Sequence, residues 1–315
     1  MTESIANARL PHICVCICTY RRAQMLKRTL TEVVRQETGG LFTFSIVVAD
    51  NDAARSAEAM VAEVNAAFSV PITYCVEERQ NIALARNTAV RHASGDFLAF
   101  IDDDEFPIRN WLQTLLKLCT SSNIGGALGP VIRHFDEKPP RWLERSRFYV
   151  RRVLPTGTPV EWHEARTGNV LINRKVLRDD PAPFRPEFRA GEDQDFFRRK
   201  IEEGWKFVWC AEAEVFESVP PARWRRRYLL RKALLRGATA GLHTSLRGIA
   251  KSVIAVPLYA LALPFALLGG QHHFMTLLVK ICDHLGKLLI LVGINVVPEE
   301  YVLDDLVAKQ SASQV

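Results

Sequence analysis

The sequence predicts an α/β fold built on a mostly parallel sheet with flanking helices, followed by a C-terminal apolar helical region. Three observations lead there. Short apolar runs alternate with stretches at helical spacing through the first hundred residues, three of those runs end in a polar cluster, and beyond Val219-Pro220-Pro221 the composition turns basic and then apolar. Strands that alternate with helices pair in parallel and are covered on both faces.

Residues 13–18 (ICVCIC) form an apolar run of β-branched and cysteine side chains; after the break Thr19-Tyr20-Arg21-Arg22, the run MLKRTLTEVVRQ has helical periodicity. Residues 45–49 (SIVVA) make a second buried strand ending at Asp50-Asn51-Asp52, and 56–68 a helix. A third strand covers 71–76, a helix 82–92, and a fourth strand 97–101, which ends in Asp102-Asp103-Asp104-Glu105. Past residue 120 the alternation loosens. Residues 128–132 and 170–172 read as strands, and the Pro- and Arg-rich stretch 139–159 between them reads as a mobile loop over the site. An Arg-studded helix at 224–236 precedes residues 252–270, which carry no charge, and an apolar segment 274–297 interrupted by Lys280, Asp283, His284 and Lys287. The expected division is a catalytic domain over 1–221 and a helical region over 222–315, with no internal repeat.

The 315 residues suffice for one large domain or two smaller ones, and 48% apolar with 24% charged residues excludes collagen-like, low-complexity and mostly disordered chains. The seven cysteines contain no CxxC pair, so neither a disulfide framework nor a zinc knuckle is expected and a reducing cytosol fits. The first residues lack a basic region followed by a long apolar run, so they do not read as a secretory signal, and work inside the cell is expected. Of the net charge of +6, nine basic residues lie between Ala222 and Lys251 with no acid among them. The rest of the chain is net negative, which disfavours a nucleic-acid-binding surface.

In open α/β sheets ligands bind at the carboxyl ends of the strands. Neither GxGxxG nor GxxxxGK[ST] is present, so phosphates need another device. Asp102-x-Asp104 after the strand FLAF supplies one: two carboxylates at a strand end hold a hard divalent cation and leave positions for phosphate oxygens. The alternative is a solvated acidic turn. Asp50 and Asp52 can accept from a nucleobase or cap a turn. Arg86, on the helix before the metal strand, can fork onto phosphate or lie in solvent. Glu192-Asp193-Gln194-Asp195 opens a helix, where acids ordinarily cap; a carboxylate facing the cleft would instead be a general base. The histidines show no metal-ligand spacing.

Taken in order, CTYRR, VVADND, NIALARNTAVRHASGDFLAFIDDDE, TGNVLINR and GEDQDFFRR resemble a family 2 glycosyltransferase of the succinoglycan exopolysaccharide type, over about residues 11 to 225. The resemblance implies a GT-A fold and inverting transfer of one sugar from a nucleotide-diphosphate sugar, assisted by Mn2+ or Mg2+. By position it implies that Thr19 and Tyr20 flank the nucleotide and Asp50 faces the base, with Asp52 and Asp103 beside them. Arg86 would touch the diphosphate, Asp102 and Asp104 would hold ribose and metal, and Asp193 would be the base with Glu192 next to it. Two departures stand out. Many relatives carry a histidine after the final core strand where VFESVP has Glu217, and the QxxRW of processive synthases is absent, ARWRRR standing near 224. A single-addition enzyme follows.

The uncharged stretch is long enough to span a bilayer, but Pro257 and Pro264 interrupt it, so an interfacial hairpin or buried packing competes with spanning. Arginines feeding an apolar helix suit anionic cytoplasmic headgroups, and a polyprenyl-linked acceptor, usual in the resembled family, would explain attachment at the cytoplasmic face of the inner membrane. A dimer interface or a core helix pair is the alternative. Two other functions compete: a nucleotidyltransferase, which would show a Gly-rich loop near the N-terminus where 13–22 has no glycine, and a sugar-nucleotide-binding scaffold without catalysis.

Overall fold

The structure, a computed structural model, describes residues 9–122, 124–188, 191–241 and 244–294; the expectations for the first residues and for 295–297 lie outside them. Two compact units emerge: residues up to 133 together with 151–218, and 134–150 together with those from 219 on. The second unit therefore begins slightly before the expected boundary at 221 and also takes in 134–150, which the sequence reading placed in the first.

The first unit opens with β1 (His12–Thr19), α1 (Ala23–Val33), β2 (Thr43–Asp50), α2 (Glu58–Ala67), β3 (Ile72–Val76), α3 (Ile82–His92) and β4 (Phe97–Ile101). β1 pairs in parallel with β2 and β4, and β2 with β3. β4 (FLAFI) is buried along its whole length, as a strand covered on both faces must be. α3 starts where Asn81 accepts the Ala83 and Leu84 N–H groups, and it ends with Arg91 and His92 in the last turn, where cations suit the helix dipole. Gly95, at φ +111°, turns the chain into β4 so close to the His12 carbonyl that a Cβ would sit 2.6 Å from it.

The rest of this unit folds differently. β5 (Glu105–Pro107), α4 (Trp111–Ser122), β6 (Gly126–Leu128) and β7 (Val131–His134) precede α5 (Arg141–Glu144), a short helix of the second unit; then come β8 (Asn169–Asn173), a 3-10 turn at Arg174–Leu177, α6 (Glu192–Glu202), β9 (Phe207–Trp209) and β10 (Val215–Ser218). The main sheet has the order β3-β2-β1-β4-β8-β6-β9, and a smaller one the order β5-β10-β7. β8 runs antiparallel between β4 and β6, so the sheet is mixed. The single strand expected over 128–132 is broken at Gly129-Pro130. Pro130 has no N–H for a ladder, and Gly129 packs so tightly on the Ala213 carbonyl and the Asn169 amide that no Cβ fits.

Asn169 fastens these pieces. Its Oδ1 accepts the indole N–H of fully buried Trp111 at 2.8 Å, and its Nδ2 donates to the Pro130 and Ala213 carbonyls at 2.9 and 2.7 Å. One side chain thus ties α4, the β6–β7 break and the β9–β10 turn to the strand that carries it. All seven cysteines are free thiols, and burial pushes those of Cys18 and Cys119 up to about 12, which leaves them inert.

The second unit contains α5, α7 (Pro221–Trp224), α8 (Arg226–Gly241), α9 (Leu246–Leu268) and α10 (Gln271–Leu291). The stretch read as a mobile loop therefore carries a helix, anchored by fully buried Leu143. α8 and α10 meet through glycines: a Cβ on Gly237 would strike the Asp283 carbonyl, and one on Gly286 the Leu234 carbonyl. Arg236 forks onto Asp283, with Nε 2.9 Å from Oδ1, and the Ser252 hydroxyl lies 2.9 Å from His284 Nδ1. α9 continues through Pro257 and Pro264 and is long and apolar enough to cross a membrane, with little of it buried. Val253, Ile254, Leu258, Leu261, Phe265 and Leu268 are exposed along it.

Candidate functional site

Acidic side chains collect beyond the carboxyl ends of β1, β2 and β4. Asp102, Asp103 and Asp104 follow β4 directly, and β5 adds Glu105, fully buried. Glu105 Oε2 accepts the Asp102 N–H at 3.2 Å, while Glu105 Oε1 is buried without a hydrogen-bond partner. Glu217 in β10 stands directly across from Glu105 in the antiparallel ladder. Gly168, the residue before β8, presses on this group: a Cβ there would lie 2.8 Å from Glu105 Oε1 and 3.2 Å from Asp102 Oδ2. The TGN run is thus glycine at its centre because carboxylates occupy the space.

Three guanidinium groups answer these five carboxylates. Arg86, on the buried face of α3, pairs with Glu192 at the start of α6 and lies 3.7 Å from Asp102 Oδ1. Arg22 Nη1 is 3.2 Å from Asp103 and 3.5 Å from Asp104. Arg151 Nη2 donates to Glu217 Oε2 at 2.9 Å. Negative charge remains in excess, and the carboxyls register it. Burial raises the Asp103 carboxyl, against the Arg22 guanidinium, and the Glu105 carboxyl well above the ordinary range.

The structure brings some of the expected residues together and leaves others apart. The Thr19 hydroxyl donates to Asp103 Oδ2 at 2.8 Å, which locks β1 to the acidic turn. Tyr20 is half-buried, its ring 5.1 Å from the Arg21 guanidinium. Arg21 in turn forks onto Asp52, at 3.0 and 3.3 Å, and holds that carboxyl below its ordinary range against the effect of burial. Asp50 exposes no surface; its oxygens accept from the Tyr74 hydroxyl and from the Ala57 and Asp52 N–H groups. It acts here as the cap of the 51–57 loop. Glu192 is buried against Arg86, whereas Asp193 is half-buried and accepts the Gln194 N–H at 2.8 Å. Asp195, two residues on, is a structural clamp that binds Arg185, Arg198 and Arg199.

Sequence reasoning missed Arg22, Glu105 and Arg151 as members of the site. Arg22 and Glu105 are the last residues of the quoted runs CTYRR and NIALARNTAVRHASGDFLAFIDDDE and were within reach of a reading of strand ends. Arg151 lies in the stretch read as a loop over the site, but nothing singled it out there, because its partner Glu217 is 66 residues away.

Asp102 and Asp104 are the residues that could hold a divalent cation. Among the described residues no group of three or more His, Cys, Asp or Glu side chains is built to hold an ion. Asp102, with 45% of its side chain exposed, and Asp104 nearby offer oxygen ligands beside a buried surplus of negative charge, and the unpartnered Glu105 oxygen is part of that surplus. Two carboxylates leave the remaining positions to a ligand's own oxygens.

Comparison with known proteins gives this geometry a family. The chain is 33% identical to the succinoglycan biosynthesis protein ExoM of Rhizobium meliloti over 73% of its own length and 74% of that protein's. A shorter likeness, 27% identity over 35% of this chain and 42% of the other, is to an Escherichia coli protein, UDP-Glc:alpha-D-GlcNAc-diphosphoundecaprenol beta-1,3-glucosyltransferase WfgD. Among solved structures, the Pyrobaculum calidifontis mannosyltransferase PcManGT, in complex with GDP-Man and Mn2+, matches with a TM-score of 0.55 at 15% identity, covering 98% of this chain and 81% of that one, which shows the GT-A fold. The model of the family described as glycosyl transferase family 2 matches residues 14–179, and the chain belongs to that family.

Proposed function

We propose that this glycosyltransferase is an inverting enzyme that moves one sugar from a UDP-sugar to a hydroxyl of a lipid-linked glycan at the cytoplasmic face of the inner membrane. The observation that carries the reading is Arg86, whose guanidinium joins the first acid of α6 to the first acid after β4. Residues 106 positions apart are thereby held together.

In this reading Thr19, Tyr20 and Asp52 receive the nucleoside, and Asp50 supports them by holding the 51–57 loop. Asp102 and Asp104 would hold a divalent cation, Mn2+ or Mg2+, which when bound would supply neutralising charge at the leaving diphosphate. Asp103 keeps Asp104 in place through Thr19 and Arg22. Asp193, beside Arg86-bound Glu192, takes the proton from the acceptor hydroxyl, which attacks the anomeric carbon from the face opposite the diphosphate. One displacement inverts that centre. The assignment of the base to Asp193 rather than Glu192 rests on availability: the Glu192 carboxylate is buried and engaged by the Arg86 guanidinium, while Asp193 is half-buried.

The membrane part of the reading rests on α9, whose exposed apolar side chains follow a helix rich in arginine. The WfgD likeness supports a UDP-sugar donor and a lipid-linked acceptor, since that protein's name states both.

The test is a turnover screen of the full chain against a panel of nucleotide sugars with Mn2+ or Mg2+ and a membrane extract as acceptor source, reading nucleotide release. Release from one donor, lost in Asp104→Asn and in Asp193→Asn while Asp193→Asn still binds donor, supports the reading. Release of pyrophosphate in place of nucleoside diphosphate indicates nucleotidyl transfer. Donor binding without release from any sugar indicates a scaffold.

A further inference from the structure

Arg151 lies in a segment without regular secondary structure and reaches the acidic site from the side of β10. What it meets there is unusual for a strand pair. Glu105 and Glu217 are directly opposite one another in the β5–β10 ladder, and like charges so placed repel. Asp102 extends the row, its N–H bound by Glu105. Arg151 lies in the field of all three acids and is hydrogen-bonded to Glu217.

A nucleoside diphosphate brings further negative charge into this row, and a side-chain cation able to turn toward it would add to what a divalent ion supplies. Arg86 is shared between Glu192 and Asp102 and is 9% exposed in its side chain. Arg22 is shared between Asp103 and Asp104. Moving either would strip two acids of their counter-charge. Arg151 is held at Glu217 and keeps 40% of its side chain exposed, on a stretch of chain that no ladder fixes. A guanidinium presents two parallel N–H groups to phosphate as readily as to carboxylate.

We propose that Arg151 clamps the donor's diphosphate, its guanidinium passing from Glu217 to the phosphate oxygens when donor binds. Glu217 is then the competitor that sets the strength of the clamp. The proposal rests on the nucleotide-sugar reading of the site, and it predicts opposite signs for the two partners. Removing the guanidinium weakens diphosphate binding, while neutralising Glu217 strengthens it. An ion pair that serves only to hold β10 in place would give the same sign for both.

The experiment is calorimetric titration of the full chain, in Mn2+, with UDP and with UMP, for wild type, Arg151→Gln and Glu217→Gln; GDP and GMP serve as a second pair. The expected result is a loss of about 10- to 100-fold in UDP affinity for Arg151→Gln with UMP within about threefold of wild type, the size of a lost charge-assisted hydrogen bond. Glu217→Gln should bind UDP several-fold more tightly. Arg151→Lys, which keeps the charge but not the fork, should fall between wild type and Arg151→Gln and serves if the glutamine variant does not fold. Unchanged UDP affinity in Arg151→Gln, an equal loss for UDP and UMP, or weaker UDP binding in Glu217→Gln overturns the clamp. A wild-type chain that binds no nucleoside diphosphate overturns the donor reading and the clamp with it.

Discussion

The catalytic unit contains two halves that are built on different principles. From β1 to β4 the strands alternate with helices and pair with one another in parallel, and the candidate site residues stand at their ends. From β5 to β10 the pairing is antiparallel in part, the strands are short, and the side chains that matter are joined to partners far along the chain: Asn169 to Trp111, Arg151 to Glu217, Glu192 to Arg86. The first half presents sockets, and the second supplies the groups that close and hold them. If that division is right, contacts that cross between the halves should cost most when cut, and contacts inside the first half least.

The largest effect is expected at Arg86. Arg86→Met leaves Glu192 buried with its counter-charge gone and frees Asp102 from its neighbour. Breaking a buried pair by removing one partner costs about 3 to 5 kcal/mol. Chemical denaturation should show a loss of that order, and Arg86→Met with Glu192→Gln should recover part of it. A loss below about 1 kcal/mol would mean that the halves are not coupled through this pair.

Next comes Asn169→Ala. It leaves the Trp111 indole N–H and the Ala213 carbonyl unpaired in the interior and takes from the Pro130 carbonyl one of its two donors, the Val215 N–H remaining. With net values of about 1 kcal/mol for each hydrogen bond and more for a buried group left unmatched, a loss of about 2 to 4 kcal/mol follows. Hydrogen exchange should locate it at β6, β8 and the β9–β10 turn, leaving β1 to β3 protected. Equal loosening of β1 to β3 would break the comparison.

The same division explains what the sequence disclosed. The runs ICVCIC, SIVVA and FLAFI are apolar in stretches of strand length and end in Thr19, Asp50 and Asp102, so strands and candidate ligands could be read together. β6, β9 and β10 are three or four residues long, too short to carry a period, and the break at Gly129-Pro130 depends on Asn169, which is distant in sequence. The acidic turn was legible as a site because four acids follow a buried strand. Of its counter-charges Arg86 was legible as a candidate, though not its pairing with Glu192 and Asp102, whereas Arg22 and Arg151 come from a loop and an irregular segment that only the fold brings together. Asp50 was legible as polar at a strand end, but its engagement with Tyr74 depends on the β2–β3 register, in which Asp50 stands beside Val76.

That last contact gives the smallest effect, and it is internal to the first half. Tyr74→Phe removes the hydroxyl that donates to Asp50 Oδ2 at 2.7 Å and leaves the Ala57 and Asp52 N–H bonds in place. A single hydrogen bond to a charged group suggests a loss of about 1 to 2 kcal/mol at neutral pH. Burial raises the Asp50 carboxyl above its ordinary value and the Tyr74 bond opposes that rise, so the variant should raise it further. A carboxyl whose folded value is raised costs stability when ionised and ceases to do so as pH falls through its titration. The deficit of Tyr74→Phe should therefore be full at neutral pH and shrink as the solution is acidified, which denaturation midpoints measured across that range would detect. A deficit that stays constant with pH would assign the effect to packing of the ring and not to the ionised carboxylate; one as large as that of Arg86→Met would erase the distinction between contacts within a half and contacts across it.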